Sequence, residues 1–197
     1  RTYSNTGRDQ TAPSLTGTPY AGTSGTNACI ADAVTSAPFS VADAIIGYSD
    51  DCDQPLTAQL TNTEVSGENC GWTITYTYTV FDACMNALAD QSYSNTGSDM
   101  SAPALTGVPY SGSIGTNACM SNAEIAAPFS EINAIIGYSD HWGEALTSQL
   151  TNTVVTGTDC DWSVTYEYTV FDACMNALVN QSYSNTGGNQ TNPVASN

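Results

Sequence analysis

The chain repeats itself without a gap at a spacing of 90 residues, as the motif Tyr-Ser-Asn-Thr-Gly shows at Tyr3, Tyr93 and Tyr183. Alignment of residues 1–90 with residues 91–180 gives 55 identical positions. A repeat of this length is too long for one turn of a solenoid and suits one small domain. The repetition therefore predicts a tandem array, with domains at 1–95 and 96–185 and a third copy beginning at 186–197.

The clearest secondary-structure signal within a copy is a period of two. Large apolar residues share one face of the segment 72–81 and threonines share the other; the apolar set is Trp72, Ile74, Tyr76, Tyr78 and Val80. This alternation predicts a half-buried antiparallel strand. Further strands are expected at 15–20, 44–48, 56–61 and 87–93, and a short helix interrupted by Pro38 within 31–44. The pattern predicts an all-β fold of tandem immunoglobulin-like antiparallel β-sandwiches.

The charge balance excludes several classes of partner. The chain has no lysine, two arginines and 19 acidic residues, which gives a net charge of −17. Nothing is available to displace counterions from a phosphate backbone, so nucleic acid is excluded as a partner. An anionic membrane surface is excluded for the same reason. No run of about 18 apolar residues occurs, so no membrane span is expected.

The seven cysteines favour disulfides over a metal site. They form no CxxC pair and the chain has a single histidine, which argues against zinc. Disulfides indicate an oxidising, extracellular compartment. Cys70 and Cys84 flank one strand, roughly 35–45 Å apart, so they cannot bond to each other. If each main strand crosses the sandwich once, Cys29 lies at the same end as Cys70, and Cys52 at the same end as Cys84. The preferred pairs are therefore Cys29–Cys70, Cys52–Cys84 and Cys119–Cys160, with a free thiol at Cys174.

An alternative pairing stays open. In it Cys29 bonds to Cys84 and Cys52 to Cys70, which would leave Cys160 as the free thiol of the second copy. In both schemes the second copy has a free thiol because Trp142 stands where the first copy has Cys52. Each bridge would close a loop of about 30–40 residues and contribute roughly 3–4 kcal/mol to the free energy of unfolding.

Two groups of carboxylates are candidates for a calcium site. Asp50, Asp51 and Asp53 form the densest acidic cluster, and hard cations prefer such oxygen ligands. The second copy keeps only Asp140 of the three, so a solvated turn is the favoured interpretation. Asp9 and Asp99, near the domain boundaries, are a second and weaker calcium candidate.

No arrangement of residues in the sequence indicates catalysis. A serine or cysteine nucleophile needs a base within reach, and His141 has no counterpart in the first copy. Asp82 and Asp172 precede a turn in both copies, where a carboxylate is expected to accept hydrogen bonds from backbone N–H groups. We therefore expect no enzyme activity, and calcium is the one cofactor under consideration.

Three segments resemble the bacterial HYR-like (hyalin-repeat-like) immunoglobulin-type modules found in tandem in very large surface proteins. They lie at 9–17, at 48–52, where Tyr-Ser-Asp-Asp-Cys is similar to the family's TDNC corner, and at 76–86, which is similar to its YTxTDACGN strand and turn. The chain departs from the family at Met85 and Met175, which replace a glycine, and at Trp142, which replaces the corner cysteine. The resemblance implies an immunoglobulin-type fold and a role in a surface array.

Repetition, cysteines and resemblance together lead to a functional expectation. The chain is expected to be a stalk or filament segment of an exported bacterial surface adhesin, acting as a semi-rigid extracellular spacer. Its partners would be the neighbouring repeats of the same chain. We also expect that the chain can associate with itself into fibres. The alternative is a multivalent module that binds a surface glycan or protein with low affinity. Tyr93, which recurs in every copy, is expected to be partly buried at the boundary between copies.

Overall fold

The computed structural model describes residues 1–192 and divides the chain into two compact units, Arg1–Met100 and Ser101–Asn197. Strands make up 43% of the residues and helices 11%, so the predicted all-β fold is confirmed. The start of the third copy was predicted at 186–197. Residues 193–197 of that segment lie outside the described residues, and 186–188 complete the last strand of the second unit.

Unit 1 contains six strands, a 3-10 turn and two one-turn helices. In chain order they are β1 (Ser14–Leu15), β2 (Thr26–Asn27), a 3-10 turn (Ile30–Asp32), α1 (Ala33–Ser36), α2 (Val41–Ala44), β3 (Tyr48–Ser49), β4 (Thr57–Glu68), β5 (Gly71–Phe81) and β6 (Ala87–Ser98).

Unit 2 repeats the same series 90 residues later. Its elements are β7 (Ala104–Leu105), β8 (Thr116–Asn117), a 3-10 turn (Met120–Asn122), α3 (Ala123–Ala126), α4 (Glu131–Ala134), β9 (Tyr138–Ser139), β10 (Thr147–Thr158), β11 (Asp161–Phe171) and β12 (Ala177–Gly188).

The main sheet of unit 1 has the strand order β2-β6-β5-β4. Its three long strands are antiparallel neighbours, and the short β2 pairs in parallel with the end of β6. Strand β4 lies at an edge and carries a bulge between Leu60 and Asn62. In unit 2 every pair of the long strands keeps the same register, shifted by 90, as in Trp72↔Gly97 and Trp162↔Gly187.

The buried face of β5 forms the centre of the core, as its alternation predicts. Trp72, Tyr76 and Tyr78 are among the most completely buried side chains of unit 1. A second layer, made of the helical turns and the short β1–β3 ladder, covers this face. Tyr76 Oη donates to Ala37 O at 2.9 Å, and Trp72 Nε1 donates to Ala28 O at 2.8 Å. These bonds fix the helical layer on the sheet and give a sandwich-like arrangement.

Several predicted elements differ from the structure. The segment 44–48 is not a strand, because α2 ends at Ala44 and only Tyr48 and Ser49 pair with β1. Ser40 Oγ starts α2 by accepting from Asp43 N at 3.2 Å. The opening strand is limited to β1, while the helix interrupted by Pro38 is confirmed by α1 and α2. The immunoglobulin-type connectivity stays a prediction.

The end of β6 also differs from what the sequence suggested. Tyr93 was expected at a boundary between copies, but it lies within β6 in the core of unit 1 and is 4% exposed. Its Oη accepts from Ser40 N at 2.9 Å, and its ring stacks on Phe39 with centroids 5.9 Å apart. The repeated tyrosine is therefore a core residue that holds α2 on the sheet.

The turn after β5 contains an L-residue in the left-handed region. Met85 has φ 66° and is mostly exposed, and Met175 has the same φ in unit 2. Met85→Gly is therefore expected to stabilise unit 1 by about 0.5–1 kcal/mol, because glycine carries no steric penalty at positive φ. The urea midpoint of unfolding should rise. Ala83→Gly, in the same turn at negative φ, serves as the control and should bring no gain; a lower midpoint for Met85→Gly would contradict the argument.

Candidate metal centre

Acidic side chains collect at one end of unit 1. Thr57 pairs with Phe81, so the chain entering β4 and the turn leaving β5 lie at the same end of the sheet. The first segment carries Asp50 and Asp51, directly after β3, and the second carries Asp82. The pairing of β4 with β5 thus brings together residues that are about thirty positions apart in the chain.

Asp82 organises the turn that follows β5. Its Oδ1 accepts from Asn86 N at 2.8 Å, its Oδ2 accepts from Asn86 Nδ2, and its backbone N donates to Asn86 O at 3.2 Å. Asp172 makes the corresponding contacts in unit 2, where its Oδ1 also accepts from Cys174 N at 2.8 Å. The predicted capping role of both aspartates is confirmed.

The pKa of Asp82 lies below its ordinary value. Burial alone would raise it, but hydrogen bonds from Asn86, from the Cys84 backbone and from Asp9 favour the charged form and dominate. The carboxylate therefore stabilises the fold above its ordinary pKa. That contribution is lost as the pH falls through the lowered value.

Asp50 is the most unusual group at this end. It is only 6% exposed, and its Oδ2 accepts from Cys52 N at 3.0 Å. Its Oδ1 is buried and has no hydrogen-bond donor. A buried carboxylate oxygen without a partner is strongly unfavourable, since even a neutral orphan group costs about 1–3 kcal/mol.

Two further carboxylates lie beside Asp50. One ligand atom from each of Asp9, Asp50, Asp51 and Cys52 lies within 4.8 Å of the others. Asp9 is held in place by Thr11 N, which donates to its Oδ1 at 2.9 Å, and it lies beside Asp82. We call Asp9, Asp50 and Asp51 the acidic cluster.

The acidic cluster combines members of the two calcium candidates predicted from the sequence. Asp9 comes from one candidate and Asp50 and Asp51 from the other. Asp53, at φ 48°, is exposed and does not belong to the cluster. Asp99 lies at the opposite end of unit 1, where its N donates to Asn69 O at 2.8 Å. Sequence reasoning missed the contact between Asp9 and Asp82, which only the three-dimensional fold creates.

The thiol of Cys52 reports the negative field of the cluster. Partial desolvation and a hydrogen bond with Asp51 raise its pKa, and the charges of the three clustered carboxylates raise it further, to about 11. A thiolate is therefore scarce at neutral pH. The site is one where additional negative charge is strongly opposed and positive charge is favoured.

Unit 2 repeats the unusual carboxylate. Asp140 is 5% exposed, and its Oδ2 accepts from Trp142 N at 2.7 Å and from Glu144 N at 3.3 Å. Its Oδ1 is again buried without a hydrogen-bond donor. The replacement of Asp51 and Cys52 by His141 and Trp142 thus leaves the orphan oxygen of this position unchanged.

The cysteines do not pair as predicted. Among the described residues 1–192, the free thiols are those of Cys29, Cys52, Cys84, Cys119 and Cys160, whereas Cys70 and Cys174 are disulfide-bonded. None of the bridges Cys29–Cys70, Cys52–Cys84 and Cys119–Cys160 is therefore formed, nor is the alternative set, and Cys174 is not a free thiol.

The strand ends themselves were predicted correctly. Ile30 N donates to Asn69 Oδ1 at 2.9 Å, which places Cys29 and Cys70 at one end of the sheet. The Cys29 thiol is buried and free, and its Sγ donates to Asp32 Oδ2 at 3.5 Å.

A cleft in unit 1 is the other candidate site. It measures about 480 Å³ and lies between β6 and the helical layer, with Tyr20, Ser24, Asp43, Tyr93 and Asn95 in its lining. Asn95 already bonds at both ends of its amide, because its Oδ1 accepts from Thr23 N at 2.8 Å and its Nδ2 donates to Ala37 O at 3.1 Å. The deep polar groups of the cleft therefore serve the fold.

Within residues 1–192, none of the helices has the length and apolar character needed to span a bilayer. The chain matches no protein-family model, no curated protein and no solved structure.

Proposed function

We propose that the chain is a structural repeat segment of an exported surface adhesin and acts as an extracellular spacer. The observation that carries the proposal is the constant 90-residue offset of every element and every long-strand register between the two units. Such uniformity is expected where each copy contributes length or spacing, because every copy then has the same task.

The pattern of differences between the copies supports the same proposal. The buried tryptophan and tyrosines of β5 recur unchanged in β11. The lining of the cleft is not fully kept: Ser24 becomes Ile114, which is exposed, and Asp43 becomes Asn133. A module selected for multivalent binding would need the same recognition groups in each copy.

The placement of the aromatic residues is a further argument. Glycan recognition commonly uses exposed aromatic rings as stacking surfaces. In the main sheet of unit 1, Trp72, Tyr76, Tyr78 and Tyr93 all face the core, and threonines and serines alternate with them on the outer face. A polar outer face without basic groups suits a chain segment that contacts solvent rather than a ligand.

The proposal includes a non-catalytic, extracellular role at the cell surface. The thiol at the acidic cluster, Cys52, is a poor nucleophile because its pKa is raised to about 11, and the net charge of −17 favours solubility and repels other acidic surfaces. The second candidate is a low-affinity glycan- or protein-binding module. The cleft beside Tyr20 favours it, as a concave surface with an aromatic ring in its lining.

A glycan array and a panel of host-surface proteins, probed with the 197-residue chain, distinguish the two candidates. The spacer proposal predicts no retention above that of the Tyr20→Ala variant, in which the cleft has lost its aromatic wall. Retention that Tyr20→Ala abolishes would replace the spacer by the binding module. A spacer must also hold its ends further apart as copies are added, so small-angle scattering of longer concatemers should show a steadily increasing radius of gyration; a constant radius would contradict the proposal.

A further inference from the structure

The acidic cluster of unit 1 has a second feature besides its density of carboxylates. The Oδ1 atom of Asp50 is buried and lacks any hydrogen-bond donor, although the side chain is more than nine-tenths buried. One oxygen from each of Asp9 and Asp51 lies within 4.8 Å of an Asp50 oxygen. A buried, unpaired carboxylate oxygen on a side chain beside other carboxylates indicates a missing positive charge.

The chain itself has little with which to supply that charge. It contains no lysine, and both of its arginines, Arg1 and Arg8, have exposed side chains. Asp82, which lies beside Asp9, adds a further carboxylate at this end of the unit. A cation at the cluster would compensate the buried oxygen.

We propose that the acidic cluster binds a calcium ion through the carboxylates of Asp9, Asp50 and Asp51. Calcium fits because the ligands are hard oxygen atoms and the ion accepts irregular coordination completed by water. Zinc and other thiophilic metals fit less well, since Cys52 is the single sulfur present and unit 2 has Trp142 at that position. Magnesium requires a regular octahedral arrangement of its ligands. Asp50 and Asp51, which are adjacent in the sequence, and Asp9, which is distant in the sequence, do not impose that geometry.

The site would connect three separate parts of unit 1. Asp9 belongs to the segment before β1, Asp50 and Asp51 follow β3, and Asp82, which contacts Asp9, begins the turn after β5. Bound calcium would therefore fasten the start of the chain to the end of the sheet. This role is independent of whether the array acts as a spacer or as a binding module.

The experiment is a calcium titration of the 197-residue chain after treatment with chelator, by isothermal calorimetry and by thermal unfolding. We expect heat of binding and a higher Tm in millimolar calcium, with magnesium giving a smaller shift. Asp50→Asn should remove one binding equivalent or weaken it at least tenfold. Asp53→Asn, in the same turn but outside the cluster, is the matched control and should bind like the parent chain.

The unfolding of the chelated proteins separates loss of a ligand from loss of the fold. Without calcium, Asp50→Asn should be at least as stable as the parent chain, because it removes a buried uncompensated charge. With calcium the order should reverse. The proposal would be overturned if the parent chain gave neither heat nor a Tm shift, or if Asp50→Asn bound calcium as the parent does.

Discussion

Replacing Trp72 by alanine is expected to lower the free energy of unfolding of unit 1 by about 3–5 kcal/mol. The indole is only 2% exposed and lies at the centre of the core cluster, where its removal leaves a large cavity. Its Nε1 also holds the helical layer through Ala28 O at 2.8 Å. Since a small domain is stable by about 5–15 kcal/mol, this one change removes a large share.

Amide hydrogen exchange of peptides from β5 and β6 measures the effect within unit 1. Protection there should fall by roughly two to four orders of magnitude. Trp162→Ala, which breaks the equivalent bond to Ala118 O, should do the same to β11 and β12. Tyr3→Ala is the control, because Tyr3 is 91% exposed. Unchanged protection in β5 of Trp72→Ala would show that the indole does not carry the core.

Gly22→Ala is expected to destabilise unit 1 by at least about 3 kcal/mol. Gly22 has φ 91°, and a Cβ atom there would overlap the backbone carbonyl of Ser94 on β6. The neighbouring bonds Thr23 N→Asn95 Oδ1 at 2.8 Å and Thr96 N→Thr23 O at 2.9 Å fix the loop against β6. The Ser94 atoms that the Cβ atom would overlap belong to the backbone and not to a flexible side chain, so the loop must separate from the strand.

Gly25→Ala provides a matched control in the same loop. Gly25 also has positive φ, at 74°, but a Cβ atom there would have no neighbour within 4 Å. The free energy of unfolding of Gly25→Ala should therefore fall by only about 1–2 kcal/mol, the cost of placing an L-residue in the left-handed region. Urea unfolding of both variants gives the comparison. Equal losses would show that backbone strain, rather than contact with β6, determines the effect.

The sequence predicted β5 well because its signal is strong. In a strand that is buried on one face, apolar and polar residues alternate along the sequence. From Trp72 to Val80 this alternation has no exception. β4 was found only over its first residues. Beyond Leu60 almost every side chain of β4 is exposed, so its pairing with β5 rests on backbone hydrogen bonds that leave no apolar pattern.

The end of β6 was missed for a different reason. Asparagine is common in turns, so Asn95 indicates a turn when only the sequence is known. In the structure Asn95 is buried. In the structure its side chain bonds to Ala37 O and Thr23 N, so it replaces an apolar residue as a contact between the layers. A buried amide of this kind cannot be recognised without its partners, which are more than fifty residues away.

The sequence predicted only part of the acidic cluster. Asp50 and Asp51 are conspicuous as neighbours in the sequence, but Asp9 joins them only because β1 pairs with β3. Comparing the copies by residue type alone favoured a solvated turn, since Asp51 and Asp53 are replaced in unit 2. The decisive property is the burial of the Asp50 and Asp140 carboxylates, which composition does not reveal.

The identical strand registers of the two units also bear on how such a chain reaches its native state. While the chain folds, β4 can form its ladder with β5 or with β11, because seven of the eleven residues of β5 recur in β11 at the same register. Exchange of strands between neighbouring copies is a characteristic error of repeat proteins. The two-residue connection between β4 and β5, at Asn69 and Cys70, opposes that error by closing the correct hairpin first, since local pairs form much faster than distant ones. Correct strand pairing in a long array of this kind therefore depends on how fast the tight turns between neighbouring strands form.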